Sequence, residues 1–193
     1  MSDLPQHSYF HIGMRNIKTA LAATLCALLY FVFAEIPGLH IDRNPTFACI
    51  GAIFGMGSDM GNSWLNGGNR LFGTIIGGFI GMALFRVYIC FYPDGETHLL
   101  LMLMLFVGVV LLIVFSRLFQ WPGGIQPGGV VLCIILFNTP VETYISYSLN
   151  RMLDTGIGVM IALAINLLLP RERVVGWLER MGFREKAQQG KEI

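Results

Sequence analysis

Two short phrases in this chain carry the same polar residues at the same spacing. They read NRLFGTIIGG and, 81 residues later, NRMLDTGIGV. In each phrase a threonine follows an arginine by four residues, so Arg70 and Thr74, like Arg151 and Thr155, share one face of a helix. A guanidinium beside a helix N-terminus, with a hydroxyl one turn further on, suits an anionic group such as a carboxylate. The alternative is that each arginine reaches lipid headgroups or caps a neighbouring helix.

Two further polar residues lie on the helix that carries the second phrase. Asp154 and Asn166 are joined by four-residue steps through Gly158 and Ala162, so all four lie along one helix face. Polar side chains inside an apolar segment are costly and usually face a cavity or a partner. Asp154 is also within reach of Arg151, and we predict that it is a proton-coupling carboxylate.

The composition places these residues in a membrane protein. Hydrophobic residues make up 54% of the 193 residues and charged residues only 13%, whereas a soluble domain carries about 25% charged residues. The net charge of +1 gives no electrostatic signal for nucleic acid. The sequence has no phosphate-binding loop, nucleophile elbow or zinc-protease motif, so we predict that it is not an enzyme and holds no cofactor or metal.

Six apolar segments can be placed along the chain, and each is predicted to be a helix because strands cannot satisfy their backbone groups singly in lipid. They cover residues 19–34, about 45–58, about 71–93, 99–116, 129–138 and 150–169. The predicted fold class is an all-α membrane protein with six transmembrane helices and a short C-terminal amphipathic helix. Its predicted parts are an N-terminal cytoplasmic segment (1–15), the helical domain (16–170) and a cytoplasmic tail (171–193).

The 81-residue offset relates the two halves of the helical domain. It overlays the first segment on the fourth and the third on the sixth, and it aligns the ends of the short second and fifth segments. Each half, about 16–93 and 97–170, has three segments, so the halves are predicted to be inverted repeats. Helices that break at equivalent positions in the two halves indicate a substrate site near the bilayer midplane. The alternative is that these breaks are ordinary loops after a membrane span. The candidate cavity residues at these two ends are Ser58, Asp59, Asn138 and Thr139.

Three stretches together resemble a known family. IGMRNIKTALAATLCALL, GNRLFGTIIGG and LNRMLDTGIGVMIALAINLLLP are similar to the aromatic acid exporter, or fusaric acid resistance, family, to which the plant aluminium-activated malate transporters are related. The resemblance spans residues 12–170 and implies a six-helix module that dimerises and moves organic anions, typically aromatic carboxylates, out of the cytoplasm. The family-type positions here are Arg15, Lys18, Thr19, Arg70, Gly73, Thr74, Gly77, Asn150, Arg151, Asp154, Thr155, Gly158 and Asn166.

The leading hypothesis is therefore efflux of an organic anion, of the aromatic carboxylic acid type, across the plasma membrane. Basic residues before the first segment and after the last predict that both termini are cytoplasmic. The expected substrate-binding residues are Lys18, Ser58, Asp59, Arg70, Thr74, Asn138, Thr139, Arg151, Asp154, Thr155 and Asn166. A passive organic-anion channel and a non-transporting membrane scaffold or assembly subunit are the alternatives. The expected partners are the lipid bilayer, the organic anion, a second copy of the chain in a homodimer or higher homo-oligomer and, by the resemblance, a periplasmic efflux component.

Overall fold

A computed structural model of the chain describes residues 14–35 and 44–170, and all regular structure in these residues is helical. The helices are α1 (Met14–Glu35), α2 (Thr46–Gly55), α3 (Met60–Phe91), α4 (Leu99–Leu118), α5 (Ile125–Asn138) and α6 (Tyr144–Leu168), with a 3-10 turn (Pro122–Gly124) before α5. Four of them, α1, α3, α4 and α6, are long and apolar enough to cross a membrane, while α2 and α5 are shorter. The all-helical, membrane-spanning fold class is confirmed, and the predicted tail and N-terminal segment lie outside the described residues.

The predicted starts of the third and sixth helices were wrong. α3 begins at Met60 rather than at 71, and α6 begins at Tyr144 rather than at 150. The apolar run alone places the start of the third helix at 71, but the side chain of Asp59 caps this helix earlier by accepting a hydrogen bond from the Asn62 N–H. Polar residues therefore extend both helices, because part of each added turn packs against protein rather than lipid.

Helices that follow one another along the chain run in alternating directions. Lys18, near the start of α1, bonds Asn166, near the end of α6, and Tyr30 bonds Asp154, so α1 and α6 are antiparallel. Met14 and Leu168 thus lie at the same end of the bundle, which we call the terminal end. Close contacts of glycines between the helices show that α2 is parallel to α6, that α5 is parallel to α3, and that α3 is antiparallel to α6. Accordingly α3 and α5 begin at the terminal end, whereas α2 and α6 begin at the opposite end.

Two seams of small residues hold the helices close together. Between α3 and α5, a Cβ added to Gly73 or Gly77 would overlap the carbonyl oxygen of Gly124 or Gly128. Between α2 and α6, a Cβ on Gly158 would likewise overlap the carbonyl oxygen of Ala48. In lipid, helices associate through such close backbone approach, because no hydrophobic drive brings them together.

The helices form two groups with different interiors. Group 1 (α1, α2 and α6) buries mostly small residues, among them Ala22, Cys26, Ala48, Ala52 and Ala162. Group 2 (α3, α4 and α5) buries mostly large ones, among them Phe85, Tyr88, Leu112, Leu132 and Ile135. The small-residue interior of group 1 brings its backbones close together, and the buried polar residues of α1 and α6 meet across it.

Candidate functional site

A cavity of about 390 Å³ opens beside the first arginine, where α2, α3 and the start of α5 meet. It lies towards the terminal end, because Asn66 and Asn69 occupy the early turns of α3 and Gln126 the first turn of α5. None of the described residues that line it is acidic. The lining residues are Phe54, Asn66, Asn69, Arg70, Gly123, Gln126, Pro127 and Val130.

Arg70 is the charged group of this cavity. Its side chain is only 9% exposed, and its Nε has no hydrogen-bond partner among the described residues. The guanidinium carbon lies 5.5 Å from the centre of the Phe54 ring. A buried cation without an acidic neighbour leaves a desolvation cost that an anion can offset. The cavity therefore has the charge, the amide donors and the aromatic wall to hold a carboxylate that carries a ring.

The expected support from a helix N-terminus is absent. Arg70 lies well inside α3, which begins at Met60, and Arg151 lies two turns into α6, which begins at Tyr144. The dipole effect falls off within the first turn, so neither arginine benefits from it. The hydroxyl of Thr74 donates to the Arg70 carbonyl at 2.8 Å and thus faces its own helix backbone. The positive charge that could attract an anion to Arg70 therefore comes from its guanidinium and not from a helix N-terminus.

Arg151, the equivalent residue in the second phrase, has a different environment. Its guanidinium carbon lies 3.3 Å from the centre of the Phe47 ring and 4.1 Å from that of Tyr147. One turn further along α6, the buried hydroxyl of Thr155 has no hydrogen-bond partner among the described residues. The two arginines thus share a sequence phrase but not a setting, since one faces an open polar cavity and the other is covered by rings.

Asp154 lies at the interface between α6 and α1. Its carboxylate is 3% exposed and accepts a hydrogen bond of 2.6 Å from the hydroxyl of Tyr30. The sequence suggested Arg151 as its partner, and the guanidinium of that residue interacts electrostatically with Asp154 while it contacts the two aromatic rings. Asp154 is therefore held from α1, at the end of the α1–α6 interface that lies away from the chain ends.

Lys18 and Asn166 meet at the terminal end of the same interface. The buried Lys18 ammonium donates to the Asn166 side-chain oxygen at 2.9 Å. The Asn166 amide then donates to the Ser63 hydroxyl at 2.8 Å, and this hydroxyl also accepts from the Gly57 N–H at 2.7 Å. The chain of bonds joins α1, α6 and α3 to the segment that separates α2 from α3.

Sequence reasoning did not identify Ser63, Asn66 or Phe54. A signal for the first two exists, because Ser63 and Asn66 precede Arg70 by seven and four residues and so share its helix face. That face became visible only once α3 was known to begin at Met60. Phe54 had no such signal, because its ring reaches the cavity from α2.

The residues at the two helix breaks form local bonds. Asp59 is exposed and caps α3, and the Asn62 backbone N–H, followed by the side chains of Asn62 and Ser58, holds the pKa of Asp59 below its usual range. Asn138 is exposed at the end of α5, and the Thr139 hydroxyl donates to the Ile134 carbonyl at 3.1 Å. The hydrogen bonds of these candidates do not join the two breaks, and their expected part in a shared path stays a prediction.

Comparison with known proteins gives one match. A family model described as aromatic acid exporter family member 1 matches residues 10–169. No curated protein and no solved structure matches the chain. The matched segment includes all six described helices, and with them the Arg70 cavity and the α1–α6 interface.

Proposed function

The chain belongs to the aromatic acid exporter family, and on this basis we propose that it exports organic anions of the aromatic carboxylate type, which bind at Arg70. The family and the apolar helices make it a multi-pass membrane protein with a role in transport and efflux. Substrate class and binding site are the parts that we propose.

The Arg70 cavity is the observation that carries the proposal. A guanidinium binds a carboxylate through two parallel hydrogen bonds, and Arg70 has a buried Nε without a partner among the described residues. The amides of Asn66, Asn69 and Gln126 can donate to the same group, while Phe54 offers a ring face to an aromatic substrate. A cavity of about 390 Å³ is within the size range of small-molecule sites.

We propose further that the two halves are inverted repeats that exchange access to this site. The packing of α3 on α5 has its counterpart in the packing of α6 on α2, as the offset requires. α3 and α6 run in opposite directions, because Gly67 faces Val159 and Gly78 faces Met152. Arg70 lies between these two contacts, in the part of α3 that packs on α6, which supports a site near the middle of the membrane.

The position of the cavity supports export as the direction of transport. The cavity lies towards the terminal end, and the positive-inside rule favours the cytoplasm for that end. A substrate would therefore enter Arg70 from the cytoplasm and leave at the opposite end, across the plasma membrane. Asp154 is our candidate for proton coupling, since it is a buried carboxylate between α6 and α1, on a helix that such exchange would move.

Flux into and out of proteoliposomes tests this function. Purified protein is expected to move benzoate, and Arg70→Ala is expected to stop that flux while Arg70→Lys keeps part of it. Replacing Asp154 with asparagine should make the remaining flux insensitive to an imposed pH gradient. Unitary currents in a bilayer recording would favour the channel instead, and a folded protein that moves no carboxylate would favour a scaffold.

Assembly is a separate proposal. We expect a homodimer or higher homo-oligomer, as the family resemblance implies, with a periplasmic component as a further partner. Mass measurement of the detergent-solubilised protein would decide the oligomeric state.

A further inference from the structure

We propose that Arg151 is a second carboxylate site, on the exit side, and that Phe47 and Tyr147 keep it closed in this conformation. The inference rests on the proposed function, because it assigns a role to the end of the path that lies opposite the Arg70 cavity. Phe47 and Tyr147 both lie on the first turn of their helices, α2 and α6, which start on the side away from the terminal end, and α2 starts beside the part of α6 that carries Arg151. The two rings and Arg151 thus form a stack, which we call the aromatic stack.

The aromatic stack covers the flat faces of the guanidinium, and the Tyr147 hydroxyl bonds to its N–H groups, which are the groups that a carboxylate would use. Ring centres at 3.3 Å and 4.1 Å from the guanidinium carbon leave no room for a further group between them. The π-face of an aromatic ring attracts a desolvated cation in the way that an anion does, although more weakly than a hydrogen-bonded carboxylate. A carboxylate that reaches Arg151 can therefore replace the rings, and the rings can cover the arginine again after it leaves.

The sequence difference between the halves makes this closure specific to one of them. The 81-residue offset pairs Tyr147 with Asn66 and Phe47 with Gly128. At Arg70 the corresponding positions thus carry an amide and a glycine, and the guanidinium there lines an open cavity. At Arg151 the same two positions carry rings. Rings at these two positions distinguish the Arg151 site from the Arg70 site, where the Phe54 ring lies 5.5 Å away and leaves the cavity open.

A second polar group lies directly beneath the aromatic stack. Thr155 follows Arg151 by one helix turn, is fully buried, and has a hydroxyl without a partner among the described residues. It lies beside Gly51, one turn along α2 from Phe47. A buried hydroxyl without a partner is costly in a packed seam, but it can bond a substrate oxygen or a water molecule once the rings move away.

Cysteine labelling tests the closure without any measurement of transport. Thr155→Cys is placed in a background in which Cys26, Cys49, Cys90 and Cys133 are alanine, and a membrane-impermeant maleimide is added at the end opposite the chain termini. Phe47→Ala or Tyr147→Ala is expected to raise the labelling rate at least about tenfold, because more molecules expose the site. Phe47→Tyr keeps both rings and the Tyr147 hydroxyl, and this variant should label as slowly as the parent. Equal labelling in all these variants would overturn the closure.

Benzoate binding tests the carboxylate site itself. In an Arg70→Ala background, which removes the first site, Tyr147→Asn and the Phe47→Gly, Tyr147→Asn double variant introduce the residues found at the equivalent positions. Titration calorimetry should detect benzoate binding in these variants and lose it when Arg151→Ala is added. Binding that persists without Arg151, or that does not appear in a folded protein, contradicts the proposal. If wild-type protein moves no benzoate at all, the proposed function fails, while labelling and titration still decide this inference.

Discussion

The two groups of helices place the same arginine phrase in opposite kinds of surroundings. In group 2, Arg70 of α3 lines an open cavity bordered by amides, and the interior behind it consists of large apolar residues. In group 1, Arg151 of α6 is covered by Phe47 and Tyr147, and the interior behind it is made of small residues crossed by buried polar bonds. The two copies of the phrase thus lie on helices with similar small-residue seams, but the chemistry around their arginines differs.

The difference shows where the chain keeps polar groups inside the membrane. The offset pairs Gly73 with Asp154 and Phe85 with Asn166, and both polar members bond to α1. Buried polar groups are tolerated when they are hydrogen-bonded, so the small residues of group 1 bring α1 close enough to supply partners. Group 2 has no such bonds between α3 and α4 among the described residues, and its charged side chain faces the cavity instead.

The largest expected effect separates the two arginines. Arg70→Ala should weaken benzoate binding by roughly ten- to a hundredfold, because hydrogen bonds from a charged group are lost in a buried site. Arg151→Ala should leave the equilibrium affinity of the closed conformation nearly unchanged, since the rings already cover that guanidinium. Titration calorimetry on both variants measures this. Equal losses would mean that both arginines contact the same bound anion and that the contrast between the groups does not extend to binding.

The second expected effect concerns the polar bonds of group 1. Asn166→Ala leaves the buried Lys18 ammonium without its amide acceptor, and we expect a loss of about 1–3 kcal/mol in the free energy of unfolding. Adding Lys18→Met should recover part of that loss, because the stranded charge is removed. Thermal unfolding in detergent provides the comparison. No recovery in the double variant would show that Asn166 acts mainly through Ser63.

The two groups should respond alike to changes in their small-residue seams. Gly77→Ala and Gly158→Ala each place a methyl group against a backbone carbonyl, of Gly128 or Ala48, and should cost about 1–3 kcal/mol. Gly156→Ala is the matched control, because its nearest neighbour, a Leu71 methyl, would lie at an ordinary 3.7 Å. Folded yield and thermal unfolding report the effect. A large effect at only one seam would contradict the shared packing of the two groups.

The sequence indicated more about the membrane fold than about the site. Apolar runs located all six helices, and Arg70 was identified because its phrase recurs at Arg151. Two partners of these arginines, Phe54 and Phe47, were not visible, because their rings reach the arginines from another helix. The polar start of α3 lay outside the predicted helix, since hydropathy cannot distinguish a polar turn packed on protein from one in water.

A smaller effect tests the aromatic wall of the Arg70 cavity. Phe54→Ala should lower the preference for benzoate over cyclohexanecarboxylate by roughly two- to tenfold, because ring-to-ring contact is lost while the carboxylate contact remains. Phe54→Tyr keeps the ring and should preserve the preference. Competition binding measures both variants. If the two acids lose affinity equally, Phe54 only shapes the cavity, and the aromatic selectivity comes from elsewhere.

The smallest expected effect compares the starts of α3 and α6. Asp59 caps α3 through the Asn62 N–H at 2.8 Å, whereas the side chain of Thr143 makes no capping bond to α6. Asp59→Ala should therefore lower the unfolding temperature slightly, and Thr143→Ala should not.

The stability that the Asp59 charge adds to the start of α3 depends on pH, and the direction of that dependence follows from the lowered pKa of Asp59. Because the folded protein lowers the pKa of Asp59, its contribution is fully present above the unfolded pKa of about 3.9 and is lost as the pH falls through the folded pKa. Asp59→Asn keeps a capping oxygen without the charge, so this cap should contribute the same stability throughout that acidic window. Thermal unfolding of wild type and Asp59→Asn between neutral and acidic pH checks this. If the difference in unfolding temperature between wild type and Asp59→Asn stays constant across the acidic window, the Asp59 charge does not stabilise the start of α3. The capping geometry alone would then distinguish the start of α3 from that of α6.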